Sequence, residues 1–145
     1  GGRGEFWRTT DAGVNWSRVF PPNIDIQFFD AHFIDATTVY AIGSTSYRSD
    51  DGGLTWTQDS AVPAGARTMT STSTARFTAG GNSTIYRSTD GGASWTKISL
   101  VSWQAEFDFV SEMLGWAVAH AGDETALVKS EDGGVYWQEI KPVIR

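Results

Sequence analysis

Apolar positions along this chain fall in short runs broken by polar turn residues, and no stretch repeats them at a helical period. Thr84-Ile85-Tyr86-Arg87-Ser88 and Ser94-Trp95-Thr96-Lys97-Ile98 are typical: two β-branched and aromatic runs separated by a few small polar residues, which predicts a hairpin. Other runs repeat at a distance. Phe33-Ile34-Asp35 followed by Val39-Tyr40-Ala41-Ile42 matches, without gaps, Phe109-Val110-Ser111 followed by Gly115-Trp116-Ala117-Val118. Arg67-Thr68-Met69-Thr70-Ser71 with Arg76-Phe77-Thr78-Ala79 is a looser copy of the same pair. The pattern predicts β structure throughout.

The turns between paired runs repeat as well. Ser/Thr-x-Asp-x-Gly-x-x-Trp occurs four times: Thr9, Asp11, Gly13 and Trp16; Ser49, Asp51, Gly53 and Trp56; Ser88, Asp90, Gly92 and Trp95; Ser130, Asp132, Gly134 and Trp137. The four tryptophans stand 40, 39 and 42 residues apart, a spacing that suits one four-stranded unit per repeat. Each residue type has a role in such a turn. Asp accepts hydrogen bonds from nearby backbone N–H groups, Gly supplies a positive φ, and the hydroxyl adds a further local bond. Trp can cover the hairpin with a large apolar surface. Asp90 is expected to serve buried turn donors, so its removal should destabilise the fold. Calcium is not expected at these boxes, because no bidentate Glu follows any copy at the required spacing.

Laid out by repeat, the chain gives complete four-stranded units over residues 24–60, 64–100 and 104–141, with half a unit over 1–20. Gly1 through Thr9 superimposes on Gly80 through Ser88, which places Gly1 in the turn between a unit's second and third strands. Fourteen strands, or three and a half units, are predicted. The expectation is a piece of a larger array whose open ends are filled by the remaining units or by self-association, since uncovered sheets invite pairing.

The box resembles the Asp-box, or BNR, repeat of sialidases, sortilin-type receptors, xyloglucan-cleaving glycosidases and the photosystem II stability and assembly factor family. Phe109-Val110-Ser111, Gly115-Trp116-Ala117-Val118 and the box from Ser130 to Trp137 are most similar to the assembly-factor type. The resemblance implies an all-β propeller with one four-stranded blade per repeat. It also implies a non-catalytic scaffold that binds a protein partner, with a glycoside hydrolase or glycan-binding propeller as the alternative.

Composition narrows the function further. A formal charge of −6 disfavours nucleic acid and anionic membrane surfaces as partners, and no apolar run is long enough to insert in a membrane as a helix. With no cysteine, thiol chemistry and Cys-type zinc sites are excluded; the compartment stays open, an exported one being slightly favoured. No metal or cofactor motif is read, and His32 and His120 alone cannot make a three-histidine zinc site. Glycoside hydrolysis would need two carboxylates about a sugar, drawn from Asp25, Asp30, Asp35, Glu106 and Asp108. Asp30, His32, Glu106, Asp108 and Trp103 are the candidate channel-face ligand contacts, with carbohydrate as the corresponding ligand. Trp116 is expected in the core between blades. Arg8, Arg48 and Arg87 share one repeat position directly before a box, a structural location rather than a catalytic one.

Overall fold

A computed structural model describes residues 5–19, 26–80 and 84–140. Asp25, the first four residues and part of the 80–88 segment used to align them lie outside that set. The described residues form fourteen strands and no helix, as the all-β reading expects. They fall into two compact units, residues 1–60 and 61–145.

In the first unit, β1 (Phe6–Arg8) and β2 (Ser17–Val19) pair as a two-stranded hairpin. A four-stranded antiparallel sheet follows in chain order: β3 (Phe28–Phe33), β4 (Val39–Gly43), β5 (Tyr47–Ser49) and β6 (Thr57–Gln58). Ile26, Ala41 and Tyr47 are buried, with Phe6, Phe28 and Trp56 packed on them. Phe6 meets Phe28 edge-on at 4.6 Å and stacks on Trp56 at 5.3 Å, so the hairpin is fastened to the sheet by aromatic contact.

The second unit holds two such sheets. One is β7 (Ala66–Ser71), β8 (Arg76–Gly80), β9 (Thr84–Ser88) and β10 (Thr96–Leu100); the other is β11 (Gln104–Phe109), β12 (Gly115–Ala121), β13 (Glu124–Ser130) and β14 (Gln138–Glu139). The period-2 alternation of a strand decides which side chains meet between them. Phe107 and Phe109 turn inward while Glu106 and Asp108 turn out. Phe109 stacks on Phe77 of the other sheet with centroids 3.8 Å apart, and Ala117, Ala119 and Val128 complete the core.

Trp116 holds the repeat position of Tyr40 and Phe77, which are 0% exposed. It lies on the face of β12 opposite Ala117 and Ala119, half-buried, with the Lys129 ammonium 5.9 Å from its ring centroid. The inward side of β12 is already filled by the rings of Phe107 and Phe109, which leave room there for alanines and not for an indole.

The first turn of each sheet is pinned by one side-chain oxygen. Asp35 Oδ1 accepts from the backbone N–H of Thr37 and Thr38, Thr72 Oγ1 from Ala75, and Ser111 Oγ from Leu114. This is the competition of short polar side chains for local backbone donors that makes them turn formers. The box turns lie at the same end as these first turns and are tied to them. Gly52 N–H donates to Thr37 O at 2.7 Å, and Gly133 N–H to Met113 O at 2.9 Å.

Candidate functional site

The four boxes have one geometry. The hydroxyl of Thr9, Ser49, Ser88 and Ser130 accepts from the backbone N–H of Gly13, Gly53, Gly92 and Gly134 at 2.8–2.9 Å. The same hydroxyl donates to the Oδ1 of Asp11, Asp51, Asp90 and Asp132. Each carboxylate in turn accepts from the N–H four residues on, at Asn15, Thr55, Ser94 and Tyr136. The four glycines have φ between 89° and 91°, where a Cβ is strained. The indoles of Trp16, Trp56, Trp95 and Trp137 close the turn by donating Nε1–H to the carbonyl of that glycine at 2.9–3.1 Å.

Two features of the box differ from the sequence reading. The buried donor belongs to the hydroxyl and not to the carboxylate: Gly92 and Ser88 are buried, whereas Asp90 and its acceptor bond from Ser94 are exposed. The tryptophans are also less covered than a staple over the hairpin implies. Trp16 is 55% exposed, and Trp56, Trp95 and Trp137 are half-buried.

Hydrogen bonding sets the box electrostatics. The Asn15 backbone N–H, then its side-chain amide, lower Asp11 to about 2. The Thr55 and Ser94 hydroxyls and backbone N–H groups hold Asp51 and Asp90 below the ordinary carboxylate range, and the Tyr136 N–H does the same for Asp132. A carboxyl so depressed carries no proton to donate near neutral pH, so the boxes are unsuited to general-acid catalysis. The linkage has a definite sign. A folded-state pKa below the unfolded value contributes stability above the unfolded pKa, and that stability is lost as pH falls through the folded one. We therefore expect stability to decline from about pH 4 downward. In an NMR titration the Asp11 carboxyl should show its midpoint near 2; a midpoint near that of a free Asp would show that the Asn15 bonds do not form.

The channel-face candidates are distributed over both units. Asp30 and His32 are half-buried on β3, opposite Ile42 and Tyr40. Asp35 caps a turn and is held at about 2 by the N–H groups of Thr38 and Thr37. In the second unit Glu106 and Asp108 share the outer face of β11, and Asp108 Oδ1 accepts from Thr70 Oγ1 at 2.7 Å. Trp103 lies elsewhere, packed on the core and edge-on to Trp137 at 5.7 Å. It is a packing residue and is not brought together with those carboxylates. His120 is exposed, its Nδ1 3.2 Å from Thr125 Oγ1. Among the described residues no three His, Asp or Glu side chains converge as metal ligands would.

A cleft of about 510 Å³ opens at the box-bearing end of the second unit, between Ser71-Thr72-Ser73-Thr74 of the β7–β8 turn and Phe109 through Met113 of the β11–β12 turn. Thr74 Oγ1 donates to Glu112 across it, and Arg87 Nη2 pairs with Glu112 Oε2 at 2.8 Å. Val110 and Met113 stand 64% and 50% exposed on its rim. The sequence reading missed this cleft because its walls are turns 38 residues apart, and neither wall carries the box.

Comparison with known proteins agrees with this architecture. The BNR/Asp-box repeat model matches residues 47–58 and 86–97, and no curated protein matches the chain. Among solved structures, YCF48 bound to D1 peptide is similar at 22% identity and TM-score 0.66, over 79% of this chain and 39% of that one. The GH74 xyloglucanase from Xanthomonas campestris is similar at 19% identity and TM-score 0.62, over 93% of this chain and 26% of that one. The Niastella koreensis GH74 enzyme is similar at 16% identity and TM-score 0.66, over 97% of this chain and 23% of that one. The chain thus spans well under half the length of each, and likeness at these identities is likeness of fold. With the box built alike four times, at the turn between the last two strands of each sheet, this chain is an Asp-box repeat protein with a β-propeller fold.

Proposed function

We propose that this chain is a non-catalytic binding module that holds an extended peptide segment of a partner protein at the box-bearing end of its second unit. The observation that carries the reading is the cleft between the β7–β8 and β11–β12 turns. It is lined by Ser71, Thr72, Ser73, Thr74 and Ser111 beside the exposed Val110 and Met113, with Thr72 and Ser111 holding their own turns and Thr74 on Glu112. Backbone amides of an extended segment need such donors and acceptors, and its side chains need the apolar rim. YCF48, whose sheets are built alike, is bound to D1 peptide, which supports a peptide as ligand here. The boxes favour the same reading, since their carboxylates are engaged in their own turns and give each sheet a rigid end on which a binding surface can sit.

Carbohydrate is the second reading, favoured by the likeness to the GH74 enzymes and by the hydroxyls and Glu112 of the same cleft. The two separate in one binding experiment. An array of extended peptides and a panel of xyloglucan oligosaccharides are titrated against the chain and against the double variant Val110→Asp, Met113→Asp. Saturable peptide binding that weakens roughly tenfold or more, or about 1.4 kcal/mol, in the variant is expected. Saturable oligosaccharide binding without peptide binding would overturn the proposal.

A further inference from the structure

One contact is built in both units and ends differently in each. In the first unit Arg8, directly before its box, donates Nε–H to Gly52 O in the next box at 2.7 Å. In the second unit Arg87, directly before its box, reaches the same place. A Cβ on Gly133 would stand 3.2 Å from Arg87 Nη1, as one on Gly52 would stand 3.4 Å from Arg8 Nη2. Arg87 Nε makes no corresponding bond. It is buried without a hydrogen-bond partner among the described residues, whereas buried donors in folded proteins are nearly always paired.

The difference traces to one residue in the first turn of the next sheet. Phe33 with Val39 and Phe109 with Gly115 are the pairs that bound these turns, so Glu112 stands in the second unit where Ala36 stands in the first. The two backbones agree: the Ala36 and Glu112 carbonyl oxygens lie 3.3 and 2.8 Å from a Cβ built on Gly52 and Gly133. Where the turn carries alanine, the arginine takes the box carbonyl. Where it carries Glu112, Arg87 turns Nη2 to Oε2 at 2.8 Å and its Nε goes without.

Glu112 is also the one charged residue that lines the cleft between the β7–β8 and β11–β12 turns, and its side chain is 44% exposed. Thr74 and Arg87 each occupy one of its oxygens. A carboxylate has about four acceptor sites, so capacity is left on both. We propose, on the peptide reading above, that Glu112 receives a cationic side chain of the bound segment, and that Arg87 then donates Nε–H to Gly133 O as Arg8 does to Gly52 O. The aliphatic stem of the incoming lysine or arginine lies along the exposed Val110 and Met113 while its head takes Oε2. The exchange conserves hydrogen bonds, because the one that Arg87 gives up at Glu112 is replaced by the one its Nε gains. A chain of formal charge −6 draws such a segment in.

The test uses one array of extended peptides made twice, with lysine and with norleucine at the central position, titrated against the whole chain. The lysine set should bind roughly tenfold more tightly, as a hydrogen bond to a charged group allows. Glu112→Gln, checked for a native circular dichroism spectrum, should abolish the preference. Equal affinities, or a preference that survives in Glu112→Gln, would overturn the proposal and leave the peptide reading standing; failure of every peptide in both sets would remove the two together. Glu112→Ala tests the exchange without any ligand, since it gives this turn the residue of its first-unit counterpart. In its NMR spectrum the Arg87 Nε–H proton should move downfield and show a coupling through the hydrogen bond to the Gly133 carbonyl. An unmoved proton would mean that Arg87 does not take the box carbonyl when Glu112 is withdrawn, and the exchange would fall.

Discussion

Replacing Phe109 by Ala is expected to lower stability by about 3–5 kcal/mol, the usual cost of removing a fully packed ring from a core. The ring is 3% exposed, stacked on Phe77, and meets Phe107 and Trp137 edge-on at 5.8 Å. What adds to the cost is that part of its wall is backbone. A Cβ placed on Gly115 would stand 2.6 Å from the ring, and one on Gly134 would stand 3.1 Å from it. On those two sides the hole cannot be filled by a side chain settling inward, because glycine has none, and both glycines are fixed by strand pairing or by the box turn. At roughly 2–4 °C per kcal/mol for a chain of this size, the melting temperature should fall by about ten degrees. Leu100→Ala is the control: Leu100 is 67% exposed, so its truncation should change stability by less than about 0.5 kcal/mol. Urea unfolding of both variants decides the matter; equal effects would mean that the Phe77 and Phe109 stack is not the core of this unit.

That comparison marks where the sequence is informative. A box turn is local: hydroxyl, carboxylate, glycine and indole lie within eight residues, so their spacing specifies the turn and the repeat specifies the sheet. The matched pairs Phe33 with Val39 and Phe109 with Gly115 are likewise cross-strand partners. Coverage of a face is not local. β12 presents an indole on one side and alanines on the other, and hydrophobicity alone does not say which of the two meets the Phe107 and Phe109 rings. The actual choice is made by the Phe107 and Phe109 rings, whose place depends on β8 of another sheet. Trp103 shows the same dependence in reverse, since its partner Trp137 is 34 residues away. The cleft near Glu112 needs two first turns and Arg87 to meet, and no single stretch of sequence holds all three.

Within the box, Ser88→Ala should cost about 1–3 kcal/mol, because it leaves the buried Gly92 N–H without an acceptor. Ser88 is 2% exposed, and its Oγ both receives Gly92 N–H at 2.8 Å and donates to Asp90 Oδ1 at 2.7 Å. Water cannot take over the first of these bonds without opening the turn. Asp90→Ala removes the acceptor of the Ser88 hydroxyl as well as bonds to the N–H and hydroxyl of Ser94; the Ser94 groups are exposed and can turn to solvent, and the Gly92 N–H keeps its acceptor, so the effect should be smaller than that of Ser88→Ala although the carboxylate makes more bonds. The first box supplies an internal comparison with the same chemistry and different burial. Thr9 Oγ1 accepts from Gly13 N–H at 2.9 Å in an exposed turn, and Thr9→Ala should therefore cost less than Ser88→Ala. Melting curves for the three variants test the order. If Thr9→Ala or Asp90→Ala proved as damaging as Ser88→Ala, burial of the glycine donor would not be what makes the box hydroxyl matter.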